Sequence, residues 1–229
     1  MKKIVQNLMA FIGKTSAHIH MPYNRKKLDL NKYFELEKKL RDSLSVPFAI
    51  GLVSTDGEAS NIFIKAANLF ASNKKKSKSK ITHSFAYIDC INGYKHRVAE
   101  MTVNGFIINP LLSAIGQRDN VIIRVPNELL MPESVRRYAK DYLLGLAKKD
   151  EEGNIEYDFN HDNKDSEKMD CSEMIFLALK YGYEKADIRF PMMMETRLGY
   201  EAITPTDLEY SDLFVTIYDS KKGFLDGSL

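Results

Sequence analysis

The chain has 229 residues, 44% of them hydrophobic, with a formal net charge of +2 and only two cysteines. That size and apolar share fit one domain with a substantial core, or one domain plus an extension, and the balanced charge calls for neither nucleic acid nor a membrane surface. Two cysteines make no disulfide framework, which points to a reducing compartment, and no run of about 18 apolar residues marks a membrane-spanning helix.

The start, Met1-Lys2-Lys3-Ile4-Val5, carries the charge of a signal peptide but then meets Gln6 and Asn7. No continuous apolar core or small-residue cleavage site follows, so a cytoplasmic location is expected, or a virion-associated one if the chain is of phage origin. Ile4, Leu8, Phe11 and Ile12 predict a short amphipathic helix over 2–14. His18-Ile19-His20 alternates like an extended arm; with no third ligand at metal-site spacing, these histidines are read as structural. Tyr33, Leu36, Leu40 and Leu44 form the apolar stripe of a second helix, Asn31 to Leu44. Residues 1–46 are therefore expected to form a helical extension whose apolar faces could serve a protein partner or self-association, and residues 47–229 the main domain.

Pro47 to Ser54 reads as a buried strand and Ser60 to Ala71 as a helix. Lys74 to Lys80 is expected to be an exposed flexible loop, or alternatively a rim that attracts acidic substrates. A hairpin follows, because Asn92-Gly93 between two strand-like runs suits a two-residue turn with positive φ at both positions. Gly105 to Asn109 and Asn120 to Val125 predict further strands. Pro132 suits the first position of a helix over Glu133 to Ala147, with a loop from Lys148 to Asn154. Asp158 to Asp162 alternates oxygen ligands, but Asn163 and Met169 occupy the glycine and glutamate positions of a calcium loop, so no metal is expected. Gly182 is read as the C′ residue of the next helix, Phe190 to Met194 as core filling or a greasy pocket lining, Leu213 to Tyr218 as the closing strand, and 221–229 as a polar tail.

The candidate chemistry lies in the helix that Gly182 ends. Asp170 suits an N-cap, Glu173 completes a capping box, and the apolar run from Met174 supplies a buried face. Cys171 then falls in the first turn, where unpaired N–H groups and the helix dipole favour a thiolate. A lone cysteine is more often a small core residue, so the reading needs a base. In the hairpin, a two-residue turn places Ile91 opposite Tyr94, Phe85 opposite Glu100 and His83 opposite Thr102. His83 and Glu100 become diagonal neighbours on one sheet face, roughly 7–8 Å apart at Cα. A one-residue slip would separate them. Nucleophile, base and orienting carboxylate are then all present. No phosphate-binding glycine loop or Gly-x-Ser-x-Gly elbow competes.

Thr82-His83 opening a strand, Glu100 in the next with Gly105-Phe106 after it, Leu144-Gly145 as a helix end, Tyr157-Asp158-Phe159, Cys171-Ser172-Glu173 and Thr204-Pro205-Thr206-Asp207-Leu208 together resemble the permuted papain-like amidases of the YiiX/YaeF type, relatives of the NlpC cell-wall peptidases. The order histidine, acid, cysteine is that family's permutation. The resemblance covers roughly Val46 to the C-terminus and departs at the lysine-rich insertion, at Lys148 to Glu156, and at Met101, where alanine is usual. It implies a permuted papain-like fold over 47–229, with Cys171 as nucleophile, His83 as base and Glu100 as orienting carboxylate. By the same resemblance, Tyr157 would donate to the oxyanion and the substrate would be a cell-wall peptide or an acylated compound, with no cofactor. The expected architecture is α+β, antiparallel strands carrying His83 and Glu100 with the Cys171 helix against them. Two functions follow as expectations, a thiol hydrolase for amide or ester bonds and a non-catalytic structural or interaction protein, for example in a bacterial or phage assembly.

Overall fold

In the computed structural model, which describes residues 29–43, 48–54, 75–91, 95–116, 118–150, 155–158, 168–197 and 200–225, the apolar stripe of the second expected helix forms α1 (Leu30–Ser43). The continuous hydrophobic run after it forms β1 (Ala49–Ser54), buried at every position as such a run requires. The lysine-rich segment holds a short 3-10 turn (Lys76–Lys78), and then come β2 (His83–Ile91), β3 (Lys95–Thr102), β4 (Gly105–Pro110), α2 (Leu111–Ile115) and β5 (Asn120–Pro126). The second half contains α3 (Glu133–Asp150), β6 (Glu156–Tyr157), β7 (Lys168–Met169), α4 (Cys171–Lys185), β8 (Glu195–Arg197), β9 (Tyr200–Ala202), α5 (Pro205–Glu209), β10 (Phe214–Asp219) and β11 (Gly223–Phe224).

Seven strands make one antiparallel sheet in the order β11-β10-β5-β1-β2-β3-β4, giving an α+β architecture. Because side chains alternate across a strand, Ile50 and Leu52 of β1, with Phe48 just before it, go to one face and Ala49 and Val53 to the other. The first face packs against α3 and α4 through Val135, Ala139, Leu143, Met174, Ile175 and Ala178. The second is covered by Tyr33, Leu36 and Leu40 of α1 and by Leu111, Ala114 and Ile115 of α2. Gly51 lies opposite Phe85, and a Cβ there would stand 1.9 Å from the Phe85 ring, so the missing side chain makes room for that ring in the second layer. Among the described residues no helix is long and apolar enough to cross a membrane.

Several boundaries differ from expectation for identifiable reasons. Ile91 pairs with Lys95 rather than Tyr94, so three residues separate the strands where two were expected. Gly182 does not end α4, which continues to Lys185; a Cβ at Gly182 would lie 2.5 Å from the Val135 carbonyl oxygen, so the glycine is where α4 crosses α3. Gly145 likewise sits inside α3, which runs on through Lys148 to Asp150. Pro132 precedes the helix, its carbonyl accepting from Arg136 N–H at 3.2 Å. Lys75 to Lys80 is not a free loop. Lys76 Nζ donates to Glu195 and, at 2.7 Å, to Asp207, which also accepts from the Thr204 N–H and hydroxyl. Ser79 donates to Glu209. Gly223–Phe224 pairs with β10, so the polar tail begins later than expected. Phe190 and Met192 pack on the core while Met193 is 85% exposed. The expected helices over 2–14 and 60–71, His18, His20, the Asn92-Gly93 turn and 159–167 lie outside the described residues.

The two helical glycines should respond in opposite ways to alanine. Gly182→Ala overpacks a backbone crossing and is expected to cost about 1–3 kcal/mol. Gly145→Ala, with nothing within 4 Å of its new Cβ, is expected to stabilise by about 0.5–1 kcal/mol. Urea unfolding of both variants measures the contrast.

Candidate functional site

The start of α4 is built as its sequence dictates. Asp170 is extended (φ −90°, ψ 177°), and its Oδ1 accepts the N–H groups of Ser172 at 2.7 Å and Glu173 at 2.8 Å. Glu173 Oε2 accepts the Asp170 N–H in return at 3.4 Å, closing the capping box. Cys171 is thereby the first helical residue, at the positive end of the helix, and is 1% exposed.

His83 opens β2, and its ring lies within interaction reach of that sulfur, each group favouring the charged form of the other. Its other contact is explicit: Nε2 lies 2.8 Å from Glu100 Oε1. An imidazole has two nitrogens, so the one left for the sulfur is Nδ1. The diagonal arrangement depends on register, and the register contains a compensation. Near the turn β2 and β3 pair as Ile91↔Lys95 to Asp89↔Arg97, one residue off the expected alignment. A bulge at Ile88 then shifts the pairing to Tyr87↔Val98 and Ala86↔Ala99, and extending this alignment places His83 diagonal to Glu100.

Tyr157 arrives through the short parallel pair β6 and β7, where it lies opposite Met169, two residues before the nucleophile candidate. The Asp158 N–H donates to the Met169 carbonyl at 3.1 Å and fastens the pair. The Tyr157 hydroxyl lies close enough to the Cys171 sulfur for the sulfur's charge to raise its pKa, and the Ser84 backbone N–H favours the charged form of that sulfur. All four residues singled out from the sequence therefore converge. Cys90, the other cysteine, has its backbone opposite His96 in the hairpin, well along β2 from His83.

Electrostatics follow from this geometry. Burial opposes a charge on each group, yet the groups satisfy one another. For His83, burial is outweighed by the charge and hydrogen bond of Cys171 and then by the hydrogen bond and charge of Glu100, which raise its pKa to about 10. For Cys171, burial is outweighed by the His83 charge and hydrogen bond, and the thiol falls below its ordinary range despite the nearby Asp170 charge. Glu100 is held at about 2 against burial by His83, Asn109 and Arg118. Tyr157 is pushed well up by burial and the neighbouring anionic groups, and keeps its proton. Both shifts run toward the charged forms, the direction that a nucleophilic cysteine–histidine pair requires.

Sequence reasoning missed two partners of Glu100. Asn109 Nδ2 donates to Oε2 at 3.1 Å, and Arg118 Nη2 stands 3.7 Å from Oε1. Asn109 was discoverable: Glu100 pairs with Ile107 and Val98 with Asn109, so it is diagonal to Glu100 across β4, as His83 is across β2. Arg118 follows α2, and no periodicity pointed to it. Among the described residues no group of three or more His, Cys, Asp and Glu side chains is placed to hold a metal. Compared with protein-family models and with curated proteins, the chain matches none.

These shifts set a window of stability. Glu100 is depressed, so its contribution is present above its ordinary 4.5 and is lost as pH falls through about 2. His83 is raised, so its contribution is present below its ordinary 6.5 and is lost as pH rises through about 10. The unfolding free-energy gap between wild type and Glu100→Gln should therefore be widest between pH 4.5 and 6.5 and narrow toward either end, as measured by urea unfolding across pH.

Proposed function

We propose that the chain is a thiol hydrolase of permuted papain-like architecture that cleaves an amide or ester bond. The observation that carries this reading is the series Cys171, His83 and Glu100 at a helix N-terminus, in which the imidazole is hydrogen-bonded to the carboxylate and lies within interaction reach of the sulfur. The cysteine-bearing helix against an antiparallel sheet, with histidine, acid and cysteine in that chain order, supports the permuted architecture and its likeness to the YiiX/YaeF amidases.

In this mechanism the Cys171 thiolate attacks the carbonyl carbon and an S–C bond forms while the carbonyl π pair moves to oxygen. The N–H of Cys171 and the Tyr157 hydroxyl are the donors for that oxyanion. As the tetrahedral intermediate collapses, the C–N or C–O bond breaks and His83 Nδ1 gives its proton to the leaving group. His83, now neutral, takes a proton from water, whose oxygen attacks the thioester. Collapse releases the acid and returns the thiolate–imidazolium pair. Glu100 stays ionised throughout and fixes the ring by accepting from Nε2. The His83 side chain keeps 18% exposure while Cys171 keeps 1%, so the acyl group approaches over the imidazole. The natural acyl donor in this reading is a peptide-like or acyl-amide compound, such as a cell-wall peptide.

The test uses a thiol-directed acyl probe followed by peptide mass spectrometry. Wild type should be labelled at Cys171, and Cys171→Ala and His83→Ala should abolish labelling; persistence in Cys171→Ala, or transfer to Cys90, would remove the assignment. With a turned-over ester, Tyr157→Phe should lower kcat by about 10²–10³ with the fold intact. Activity should rise as Cys171 ionises below the usual thiol range and fall as His83 loses its proton near pH 10.

A further inference from the structure

A base that also serves as an acid has to give up its proton as readily as it takes it. Glu100 works against release, because a carboxylate bonded to Nε2 stabilises the imidazolium in addition to the thiolate on the other side. Its oxygens are not left to the histidine alone. Oε2 accepts from the neutral Asn109 amide at 3.1 Å, which orients the carboxylate without changing its charge. Oε1, the oxygen that His83 uses, also faces the Arg118 guanidinium at 3.7 Å. Arg118 is held there by its own Nε, which donates to the Ala114 carbonyl at 3.2 Å in the last turn of α2, and by its backbone N–H, which donates to Ile115 at 3.3 Å.

We propose that Arg118 is a positioning residue for the base: by competing with His83 for the charge on Glu100 Oε1, it weakens the hold of the carboxylate on the imidazolium and lets His83 return its proton to the leaving group. This rests on the hydrolase reading of the site. The groups acting on the pair are Cys171 from α4, Asn109 from β4 and Arg118 from the segment after α2; Asp170, just before α4, bears on Cys171, and Asp158, just after β6, bears on Tyr157. Arg118 is the cation among them besides His83 itself. Removing it therefore raises the proton affinity of the ring, whereas a purely structural role in ending α2 would change stability and leave that affinity alone.

The experiment is a histidine-ring NMR titration of the full chain, with His83→Ala used to assign the resonance, comparing wild type with Arg118→Gln and Arg118→Lys. The glutamine variant should move the His83 deprotonation midpoint up by about one pH unit, and the lysine variant, which keeps a charge, should stay near wild type. In steady state Arg118→Gln should lower kcat severalfold with KM unchanged. Should the glutamine variant not fold, Arg118→Met, which retains the aliphatic stem, takes its place. An unchanged midpoint in the uncharged variant, or equal shifts in the charged and uncharged ones, overturns the proposal. If instead wild-type His83 titrates at an ordinary histidine value and Cys171 alkylates like a free thiol, the hydrolase reading itself has failed. A shifted wild-type pair with a silent Arg118→Gln sinks the arginine proposal alone.

Discussion

The organising constraint of this molecule is a series of ionisable groups largely withdrawn from water, with Cys171 and Glu100 buried and the His83 ring partly exposed. A thiolate, an imidazolium and a carboxylate removed from solvent separately would each incur a large desolvation cost. Placed in contact, each is the counter-charge of the next: His83 faces Cys171 and Glu100, Asn109 donates to Glu100 and Arg118 stands beside it, and Tyr157 and the Ser84 N–H lie by the sulfur. Such a series tolerates little misplacement, because removing one member leaves its neighbours buried and unmatched. The surrounding fold can be understood as the apparatus that keeps these atoms in register.

Two devices supply the register. The bulge at Ile88 absorbs the one extra residue of the β2–β3 connection before the strand reaches the site, and so restores the alignment of His83 with Glu100. The Lys76 and Ser79 contacts to Glu195, Asp207 and Glu209 fasten the strap that leads into β2, and the Thr82 N–H then donates to the Val53 carbonyl at 3.0 Å. On the far side of α5, buried Arg124 donates to the carbonyls of Leu208 at 2.6 Å and Ser211 at 3.0 Å and to that of Phe214. Burial lowers its pKa, and the contacts tie α5 and β10 to β5. A lysine run that would otherwise be a solvated face thus contributes one half-buried cation, Lys76, paired with two carboxylates of the frame.

Local rules carried the sequence reading where they were sufficient. The capping box at Asp170 and Glu173, the continuous burial of β1, the stripe of α1 and the diagonal of His83 and Glu100 all follow from short-range pattern. The diagonal survived an error in the turn because the bulge cancelled it, which no propensity indicates. The misreadings share a different cause. Gly182 and Gly145 look alike as helix-end signals, yet one is demanded by a crossing helix and the other by no contact, and only tertiary packing separates them. Lys76 and Arg118 were invisible for the same reason: their partners lie far along the chain or across the sheet, and a charge in isolation gives no sign of where its counter-charge will fold.

Strand alternation by itself presents a difficulty that explains where the site must lie. Along β2, Phe85 and Tyr87 belong to the α1 and α2 face, Ala86 and Ile88 to the α3 and α4 face, and His83 shares the parity of the first pair. Cys171 belongs to a helix on the opposite face. In the middle of the sheet a side chain from one layer could not touch one from the other, because the backbone ladder stands between them. At the first residue of β2 that barrier ends. The β2–β3 pairing stops at Ala86↔Ala99, the Ser84 N–H turns to the sulfur, and the imidazole can meet a thiolate from one layer while its other nitrogen meets a carboxylate braced by Asn109 and Arg118 from the other. A histidine two residues further into the strand would keep Glu100's face and lose the sulfur, so the chemistry is confined to the strand's mouth by the same alternation that builds the core.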